Sequence, residues 1–345
     1  MRFSLLLINI PDAGYPAERL LAEDLEQVRV ARDAGFDGIL VGQHILAHPY
    51  QFMDPLTLLA RLCAEAPGML FGTGILLLPL YPPADIAERV ATLDMLCGGK
   101  FRLGVGLGYR AEEFSALGLQ LRDRLGRYVE SVEVIRRLWE TNGPMTFEGR
   151  HFKLQQAQTS IRPAQKPRVP FWFGAHIDVA VQRTAKLIDP AAGDTWYSVP
   201  GTTLADAERQ MDVFQAALQA LGKPLPQELP IRRNMYVARD RQTAFREAEP
   251  GIKRIYASFG QWGNPGVSQG PHEAQPKAAN VEELMNDSFF IGSPEDCVRS
   301  ITRFHERLGV NHFVFRIQWP DMKQSQVLKA MELFGARVLP HVRHL

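Results

Sequence analysis

Continuous apolar runs alternate along this chain with longer segments in which apolar residues recur at helical spacing. The run at Phe3–Asn9 predicts a strand, and the apolar side chains that recur every three or four positions over Ala17–Ala34 predict a helix. The same alternation continues to the carboxyl end of the chain. Strands are predicted at 3–9, 36–41, 69–78, 101–107, 169–175, 194–198, 232–238 and 312–317.

Eight strand–helix units of this kind fit one architecture best. Strands that are apolar throughout, rather than at alternate positions, are typical of parallel strands buried on both faces. No unit has the character of an edge strand, so the pattern favours an α/β fold with a closed (β/α)8, or TIM, barrel. The alternative is a doubly wound sheet, but its GxGxxG fingerprint does not follow the first strand.

Because all eight units fit one barrel, we predict a single domain over residues 1–345. Two insertions interrupt the alternation of strands and helices. The first, about 141–168, contains FEGRHFKL and predicts a hairpin. The second, about 240–290, contains Gly260–Ala279, which is rich in Gly, Pro and Gln. A lid or a disordered insertion would have this composition, and the position between strands seven and eight favours a lid. A break near Gly126 is expected in the helix that begins at Ala111.

Composition narrows the classes of partner. The net charge of +1 gives no reason to expect nucleic acid or an anionic membrane surface, which leaves a small-molecule substrate. The three cysteines lie far apart and form no CxxC pair, which indicates a reducing compartment and argues against a zinc site. No apolar run approaches about 18 residues, and the amino-terminal segment lacks a cleavage signal, so a cytoplasmic protein is expected.

The carboxyl ends of the strands and the loops after them form the active face of such a barrel. His44 follows the second predicted strand and could exchange a proton near neutral pH, although a loop histidine bonded to the backbone fits the sequence equally well. His48 would suit a metal only on a helix, and Pro49 argues against one, so no metal is predicted. Glu112 and Glu113 begin a helix, where acidic side chains interact favourably with the helix dipole. We interpret them as capping residues rather than as an acid–base pair.

Small residues mark the ends of three further strands. Glycines allow a ligand to approach the backbone closely, and the amides that open the next helix can bind an anion. A tight strand–helix turn without a ligand would have the same pattern. These segments form the predicted cofactor-binding set: Thr73, Gly74 and Ile75 after strand three, Gly106, Gly108, Tyr109 and Arg110 after strand four, and Gly174, Ala175, His176 and Ile177 after strand five.

Several stretches together resemble one family, the bacterial luciferase-like flavin-dependent monooxygenases and their deazaflavin-dependent relatives. The resemblance runs nearly from end to end and is carried by GFDGILVGQH, GTGILLLPLYPP, LDMLCGGKFRLGVGLGYRAEEFSALG and VPFWFGAHIDVAVQRTAKL. It implies a luciferase-like barrel that holds reduced flavin on the carboxyl face of the strands. It also implies a non-proline cis peptide at Gly74–Ile75 against the flavin ring, His44 near the reactive edge of that ring, and a phosphate-binding turn at Ala175–Ile177.

The chain departs from the family pattern at three positions. Gln43 stands where relatives carry an acidic residue before the histidine, so a carboxylate partner for His44 is missing or comes from elsewhere. Leu107 stands where the luciferases have an arginine for the cofactor phosphate, and Arg110 is the residue that could replace it. Gly106 stands where the luciferases have a reactive cysteine, so light emission is not expected.

The first functional hypothesis is a two-component monooxygenase that takes reduced FMN from a separate flavin reductase and uses oxygen to oxidise a small organic substrate. Its apolar substrate pocket would be formed by Tyr50, Phe52, Trp196 and Trp319. The alternative is a deazaflavin-dependent oxidoreductase that transfers a hydride, with His44 as proton donor or acceptor. A third hypothesis is a non-catalytic luciferase-like subunit, against which the retained His44 and the glycine turns argue. The resemblance further implies a homodimer.

Overall fold

Eight parallel strands close into a barrel that helices surround, which confirms the predicted fold class. The computed structural model describes residues 1–198, 202–261, 285 and 287–345. Barrel neighbours follow the order β1-β2-β3-β5-β8-β9-β10-β12, and β12 pairs with β1 to close the cylinder. The strands are β1 (Arg2–Leu7), β2 (Gly38–Val41), β3 (Leu70–Thr73), β4 (Leu76–Leu77), β5 (Phe101–Gly106), β6 (Met145–Glu148), β7 (Lys153–Ala157), β8 (Phe171–Ala175), β9 (Thr195–Ser198), β10 (Pro230–Val237), β11 (Phe290–Gly292) and β12 (His312–Arg316).

Helices pack on the outside of this barrel, and several begin with strong sequence signals. Asp54 accepts from the Thr57 amide at 2.8 Å, and Ser293 and Asp296 form a reciprocal capping box. No helix in the described part of the chain is both long enough and apolar enough to cross a membrane. The described α-helices are α1 (Ala17–Asp33), α2 (Pro55–Leu62), α3 (Pro83–Leu96), α4 (Ala111–Ala116), α5 (Arg124–Glu140), α6 (Asp178–Leu187), α7 (Leu204–Ala220), α8 (Arg241–Gln261), α9 (Pro294–Leu308), α10 (Gln324–Arg337) and α11 (Leu339–Val342).

Side chains alternate between the inside and the outside of the barrel along each strand. On β1, Leu5 and Leu7 face the helices and belong to the large core between sheet and helices. Leu6 faces inward and belongs to a smaller cluster inside the barrel, with Leu40, Leu70, Trp172, Tyr197 and Val314. Because Val314 faces inward, its neighbours two positions away on β12, His312 and Arg316, share that orientation.

Paired charges close the amino-terminal end of the barrel. His312 is fully buried, donates from Nδ1 to Glu228 at 2.9 Å, and has its Nε2 2.7 Å from the Ser4 hydroxyl. Arg2 and Arg102 reach the same carboxylate at 2.9 and 3.2 Å. Burial alone would raise the pKa of Glu228, but the bond from His312 and the charges of His312, Arg102 and Arg2 lower that pKa below its usual range.

The inserted segments agree with the sequence only in part. The predicted hairpin is confirmed, because β6 and β7 pair antiparallel. The predicted helix break is wrong in position: α4 ends at Ala116, the chain turns at Gly118 with φ of +70°, and Gly126 lies inside α5. Of the segment Gly260–Ala279, only Gly260 and Gln261 are described, as the end of α8, so the predicted lid lies outside the described residues.

Candidate active site

The turn between β3 and β4 lies at the carboxyl end of the barrel. The Gly74–Ile75 peptide bond in this turn is cis, as predicted. The Gly74 amide donates to the Val41 carbonyl at 2.8 Å, and Thr73 Oγ1 donates to the Gly104 carbonyl at 2.7 Å. These bonds hold the turn between β2 and β5, on the face where barrels of this kind bind their ligands.

The glycines of β5 and β8 are explained by how closely this turn approaches them. A Cβ atom at Gly106 would lie 1.9 Å from Ile75 Cδ1, and one at Gly174 would lie 3.3 Å from Ile75 Cγ2. A Cβ atom at Gly104 would lie 1.9 Å from the Thr73 carbonyl oxygen. The interior is close-packed, so larger residues at these positions would displace the turn. The glycines therefore make room first for Ile75, whose partly exposed side chain stands at the top of the barrel.

His44 and Glu113 form a hydrogen-bonded pair beside this turn. His44 Nδ1 donates to Glu113 Oε1 at 2.9 Å, and the same oxygen accepts from the Ile45 amide at 3.1 Å. Glu113 is fully buried, whereas 15% of the His44 side chain is exposed. The interpretation of Glu113 as a capping residue is therefore wrong, since its carboxylate bonds the His44 loop and α4 has no side-chain cap. Glu113 is the carboxylate partner that Gln43 does not provide.

Arg110 lies against Glu113, which differs from its predicted place at a cofactor phosphate. Its Nη1 is 3.6 Å from Glu113 Oε1, and its side chain is almost fully buried. A cation at this distance offsets the cost of burying the Glu113 carboxylate. Gly108, with φ of +71°, turns the chain between β5 and this pair, and a Cβ atom there would lie 3.1 Å from the Phe114 ring.

Gln43 ties the His44 loop to the chain that follows the cis peptide. Its Oε1 accepts from the Leu77 amide at 2.8 Å, and its Nε2 donates to the Tyr81 hydroxyl. Leu77 is two residues beyond Ile75, so the buried Gln43 amide positions both the His44 loop and the β3–β4 turn. Gln43, which stands where relatives carry an acidic residue, therefore holds the loop in place instead of pairing with His44.

Aromatic rings flank His44 on two sides. The Phe52 ring centroid lies 5.3 Å and the Tyr109 centroid 5.8 Å from the imidazole, both in edge-on orientation. The Tyr50 hydroxyl is 2.6 Å from Ser258 Oγ on α8. Of the predicted residues, Phe52 and Tyr109 are thus brought to His44, while Tyr50 links the same loop to α8.

The predicted role of Trp196 and Trp319 in a substrate pocket is wrong, because both rings pack in the layer between the sheet and the helices. The Trp196 ring packs on Phe214 of α7 at 5.4 Å, and its Nε1 donates to the Ala175 carbonyl at 3.0 Å. Trp319 packs on Tyr236 at 6.3 Å. Both tryptophans belong to the core between sheet and helices. Trp196 lies within β9, where side chains alternate, so it faces the helices while Tyr197 faces the barrel interior. Trp319 lies beyond the end of β12, where strand alternation no longer fixes the direction of a side chain.

The loop after β8 brings His176 and Ile177 to the start of α6. Burial lowers the pKa of His176, so its imidazole is neutral near pH 7. Its buried Nε2 has no hydrogen-bond partner among the described residues. Helix α6 has no side-chain N-cap, and Ile177 is largely exposed. Uncapped amides and an unpaired ring nitrogen therefore lie together at this helix start.

Two arginines lie inside the barrel; the sequence places Arg316 at the active face after the last strand but gives neither arginine a role. Arg232 lies on β10 and Arg316 at the end of β12, and Arg316 is only 2% exposed. The Nε of Arg232 and the Nη2 of Arg316 are buried without a hydrogen-bond partner in the described part of the chain. The alternation of side chains along β12 could have indicated that Arg316 faces the barrel interior. No sequence signal indicates that Arg232 lies near it.

The chain resembles known proteins over almost its whole length. A sequence model of the luciferase-like monooxygenases matches residues 1–312. The chain is 25% identical to 4-hydroxyprotoasukamycin monooxygenase of Streptomyces nodosus subsp. asukaensis, with 98% of this chain and 91% of that protein covered. It is 27% identical to F420-dependent glucose-6-phosphate dehydrogenase of Nakamurella multipartita, with 96% of each covered.

A solved structure supports the same fold. The oxygenating constituent of 3,6-diketocamphane monooxygenase from Pseudomonas putida, in complex with FMN, superimposes with a TM-score of 0.78. The alignment covers 99% of this chain and 98% of that one at 17% identity. At this identity the likeness shows the fold alone.

Proposed function

Because the chain belongs to the luciferase-like monooxygenase family, we propose that it is the oxygenase component of a two-component monooxygenase. It would take reduced FMN from a separate flavin reductase and oxidise a small organic substrate with oxygen. The first of the relatives above is a monooxygenase, and the diketocamphane protein is an oxygenating constituent in complex with FMN. The structural observation that carries the proposal is the His44–Glu113 pair beside the Gly74–Ile75 turn.

The residues at the carboxyl face fit a flavin coenzyme, which has a flat ring system and a phosphate. Gly74 and Ile75 would lie against the ring, because the partly exposed Ile75 side chain stands at the top of the barrel and packs on Gly106, which is also a predicted contact. The unpartnered Nε2 of His176 and the uncapped start of α6 would meet the phosphate. When bound, the reduced coenzyme supplies the electrons of the reaction. The remaining predicted contacts stay predictions: Thr73, Gly108, Tyr109, Gly174, Ala175 and Ile177.

The chain itself would supply proton transfer and shelter from water. Because Nδ1 of His44 is engaged by Glu113, Nε2 is the nitrogen through which the ring would exchange a proton. The Glu113 carboxylate fixes the orientation of the ring and stabilises the imidazolium while His44 holds the proton. Phe52 and Tyr109, which contact the ring edge-on, would keep water from it.

A second candidate function is deazaflavin-dependent hydride transfer. The relative that is 27% identical is an F420-dependent dehydrogenase, and it is covered as fully as the monooxygenase is. The same His44–Glu113 pair would serve there, because hydride transfer to or from an alcohol also needs a group that exchanges a proton.

A binding titration separates the two functions. The purified protein is titrated without oxygen, first with reduced FMN and then with reduced F420, and bound coenzyme is followed by absorbance. We expect reduced FMN to bind more tightly than F420 and to be reoxidised when oxygen is admitted. Tight binding of F420 alone would replace the proposal with hydride transfer. Binding of neither coenzyme would leave a non-catalytic subunit.

A further inference from the structure

Two arginine side chains enter the barrel from neighbouring strands. β10 pairs with β12 in the register Arg232–Val314 and Asn234–Arg316. Neighbouring strands lie about 4.8 Å apart and two residues advance about 6.6 Å, so the Cα atoms of Arg232 and Arg316 are about 8 Å apart. Val314 faces the barrel interior, and Arg316 has the same parity. Long guanidinium side chains at this spacing can converge on one ligand.

Neither guanidinium is neutralised by a carboxylate of the described residues. Arg316 Nε donates to the Gln318 carbonyl at 2.8 Å, but its Nη2 is unpartnered within the described residues. Burial, followed by the charge of Arg232, lowers the pKa of Arg316 to about 9. Burial also lowers the pKa of Arg232, and no described carboxylate forms an ion pair with either arginine. Besides burial and the charge of Arg232 on Arg316, the groups that shift the pKa values of these two arginines are the hydroxyls of Tyr109, Tyr197 and Tyr256.

This arrangement contrasts with that of a structural arginine in the same chain. Arg168 is as buried as Arg316, and it contacts the carboxylates of Asp194 and Glu140, both at 2.7 Å. A buried cation without such a partner is destabilising, and two facing cations are more so. Uncompensated charge of this kind inside the barrel indicates a ligand that supplies the missing negative charge.

The arginine pair faces the end of the barrel that carries His44. Tyr109, whose ring centroid is 5.8 Å from that of His44, is one of the groups that raise the pKa of Arg232 against the effect of burial. Arg316 is the last residue of β12 and therefore also lies at the carboxyl end. The coenzyme phosphate has its own candidate site at His176, after β8, so the anion expected at Arg232 and Arg316 belongs to a different molecule.

We propose that Arg232 and Arg316 bind an oxyanion group, a carboxylate or a sulfonate, at one end of the substrate. Each guanidinium presents a planar fork of donors that matches such a group. This proposal rests on the function proposed above and names its substrate class, a small organic anion. The rest of the substrate would extend from the arginines towards His44.

Binding of small anions tests the pair without any coenzyme. Sodium benzoate and sodium benzenesulfonate are titrated into the whole protein by calorimetry at constant ionic strength, with benzamide as the neutral analogue and sodium phosphate as the inorganic oxyanion. We expect the two organic anions to bind and benzamide not to bind. Arg232→Met and Arg316→Met should each weaken benzoate binding by at least about tenfold, because each loses charge-assisted hydrogen bonds.

Arg233→Met is the matched control. Arg233 is the next residue on β10, but it faces the helices, with its guanidinium carbon 4.9 Å from the centre of the Phe304 ring. This variant should bind benzoate as the natural chain does. In anion-free buffer, Arg316→Met should keep or raise the melting temperature, because it removes an uncompensated buried charge. If a methionine variant does not fold, Arg232→Lys and Arg316→Lys keep the charge, lose the fork and should still weaken benzoate binding.

Three results would overturn the proposal. The first is benzoate binding that survives both substitutions, and the second is binding of phosphate without binding of either organic anion. The third is loss of reduced-FMN affinity with unchanged benzoate binding, which would assign the arginines to the coenzyme. The proposed function fails separately: a protein that binds benzoate through both arginines but binds no reduced flavin keeps the anion site and is not a flavin monooxygenase.

Discussion

The amino-terminal and carboxyl-terminal ends of the barrel both bury ionisable side chains, and they can be compared directly. At the amino-terminal end, Asp194 is fully buried and accepts two bonds from Arg168, at 2.7 and 2.9 Å, and one from the Phe171 amide at 2.9 Å. Glu228 is shared in the same way by His312 and two further arginines. Each of these charges has an opposite charge in contact, which offsets the cost of burial.

At the carboxyl-terminal end, the pairing is incomplete. Arg232 and Arg316 have no carboxylate partner in the described part of the chain, and His176 has an unpartnered ring nitrogen. His44 and Glu113 do pair, but there the histidine stays partly exposed. Charges paired within the protein therefore serve stability, whereas the groups without a described partner are the candidates for ligand binding at the end where this fold carries its chemistry.

The largest effect is expected from His44→Ala, which removes the group proposed to exchange a proton at the carboxyl end. Turnover should fall by about 10²- to 10⁴-fold, the usual contribution of a general acid or base. Affinity for reduced FMN should change little, because His44 is expected to move a proton rather than to hold the coenzyme. Steady-state oxygen consumption and flavin titration measure the two quantities. His48→Ala, at an exposed histidine of the same loop, is the control. Unchanged turnover in His44→Ala would end the catalytic assignment.

Asp194→Asn should have its effect on stability instead. Loss of the carboxylate leaves the buried Arg168 without its main partner, so the free energy of unfolding should fall by about 3–5 kcal/mol. Urea denaturation measures this difference. Asp85→Asn breaks an exposed pair with Arg89 and should cost less than about 1 kcal/mol. Equal losses in the two variants would contradict the view that the amino-terminal pairs stabilise the barrel.

Asp24 on α1 should make stability depend on pH. Burial raises the pKa of Asp24 to about 8 against the opposing effect of Asn9, with the charge of Glu23 raising it further. The folded protein thus holds a proton that the unfolded chain releases above about pH 4. Compared with Asp24→Asn, the natural chain should lose on the order of 5 kcal/mol of stability as the pH rises from about 4 to about 8.

Glu228 should show the opposite sign, because its pKa is lowered in the folded state. Its contribution to stability should be complete above the unfolded pKa of about 4 and should be lost as the pH falls below that value. Urea midpoints of Asp24→Asn and Glu228→Gln across pH 3–9 test both signs. A midpoint difference for Asp24→Asn that does not change with pH would refute the first.

Glu113→Gln should have the smallest effect of these changes. The amide can still accept from His44 Nδ1, but it no longer stabilises the protonated ring, so turnover should fall about tenfold. Glu112→Gln, the exposed neighbour on α4, should leave turnover unchanged. A loss as large as that of His44→Ala would mean that Glu113 does more than position and stabilise the imidazole.

Most of the fold could be predicted because its signals are local. The predicted strands at 101–107 and 169–175 are observed as Phe101–Gly106 and Phe171–Ala175, since buried parallel strands are apolar along their whole length. The helix break failed where a tertiary contact overrides local propensity. A Cβ atom at Gly126 would lie 2.3 Å from His151 Nε2, so this glycine accommodates the inserted hairpin instead of ending a helix.

From the sequence, the site could be predicted only where a feature lies within a few consecutive residues. His44 and the glycine-marked strand ends could be predicted because each is a feature of a few consecutive residues. The cis bond at Gly74–Ile75 was implied by the family resemblance and is observed. Glu113 was misread because its position at the start of α4 also suits a capping residue. Only the bond to His44, 69 residues away in sequence, reveals its role.

The sequence by itself determined the order of strands and helices, the closed barrel and the end of it that carries the chemistry. The tertiary structure alone decided which side chains meet there: it joined His44 to Glu113, placed Trp196 and Trp319 in the helix layer, and brought Arg232 and Arg316 together inside the barrel. The physical reason is one of range. Periodicity and backbone preference act over a few residues, whereas the pairing or isolation of a charge depends on what the closed barrel brings within a few ångströms of it.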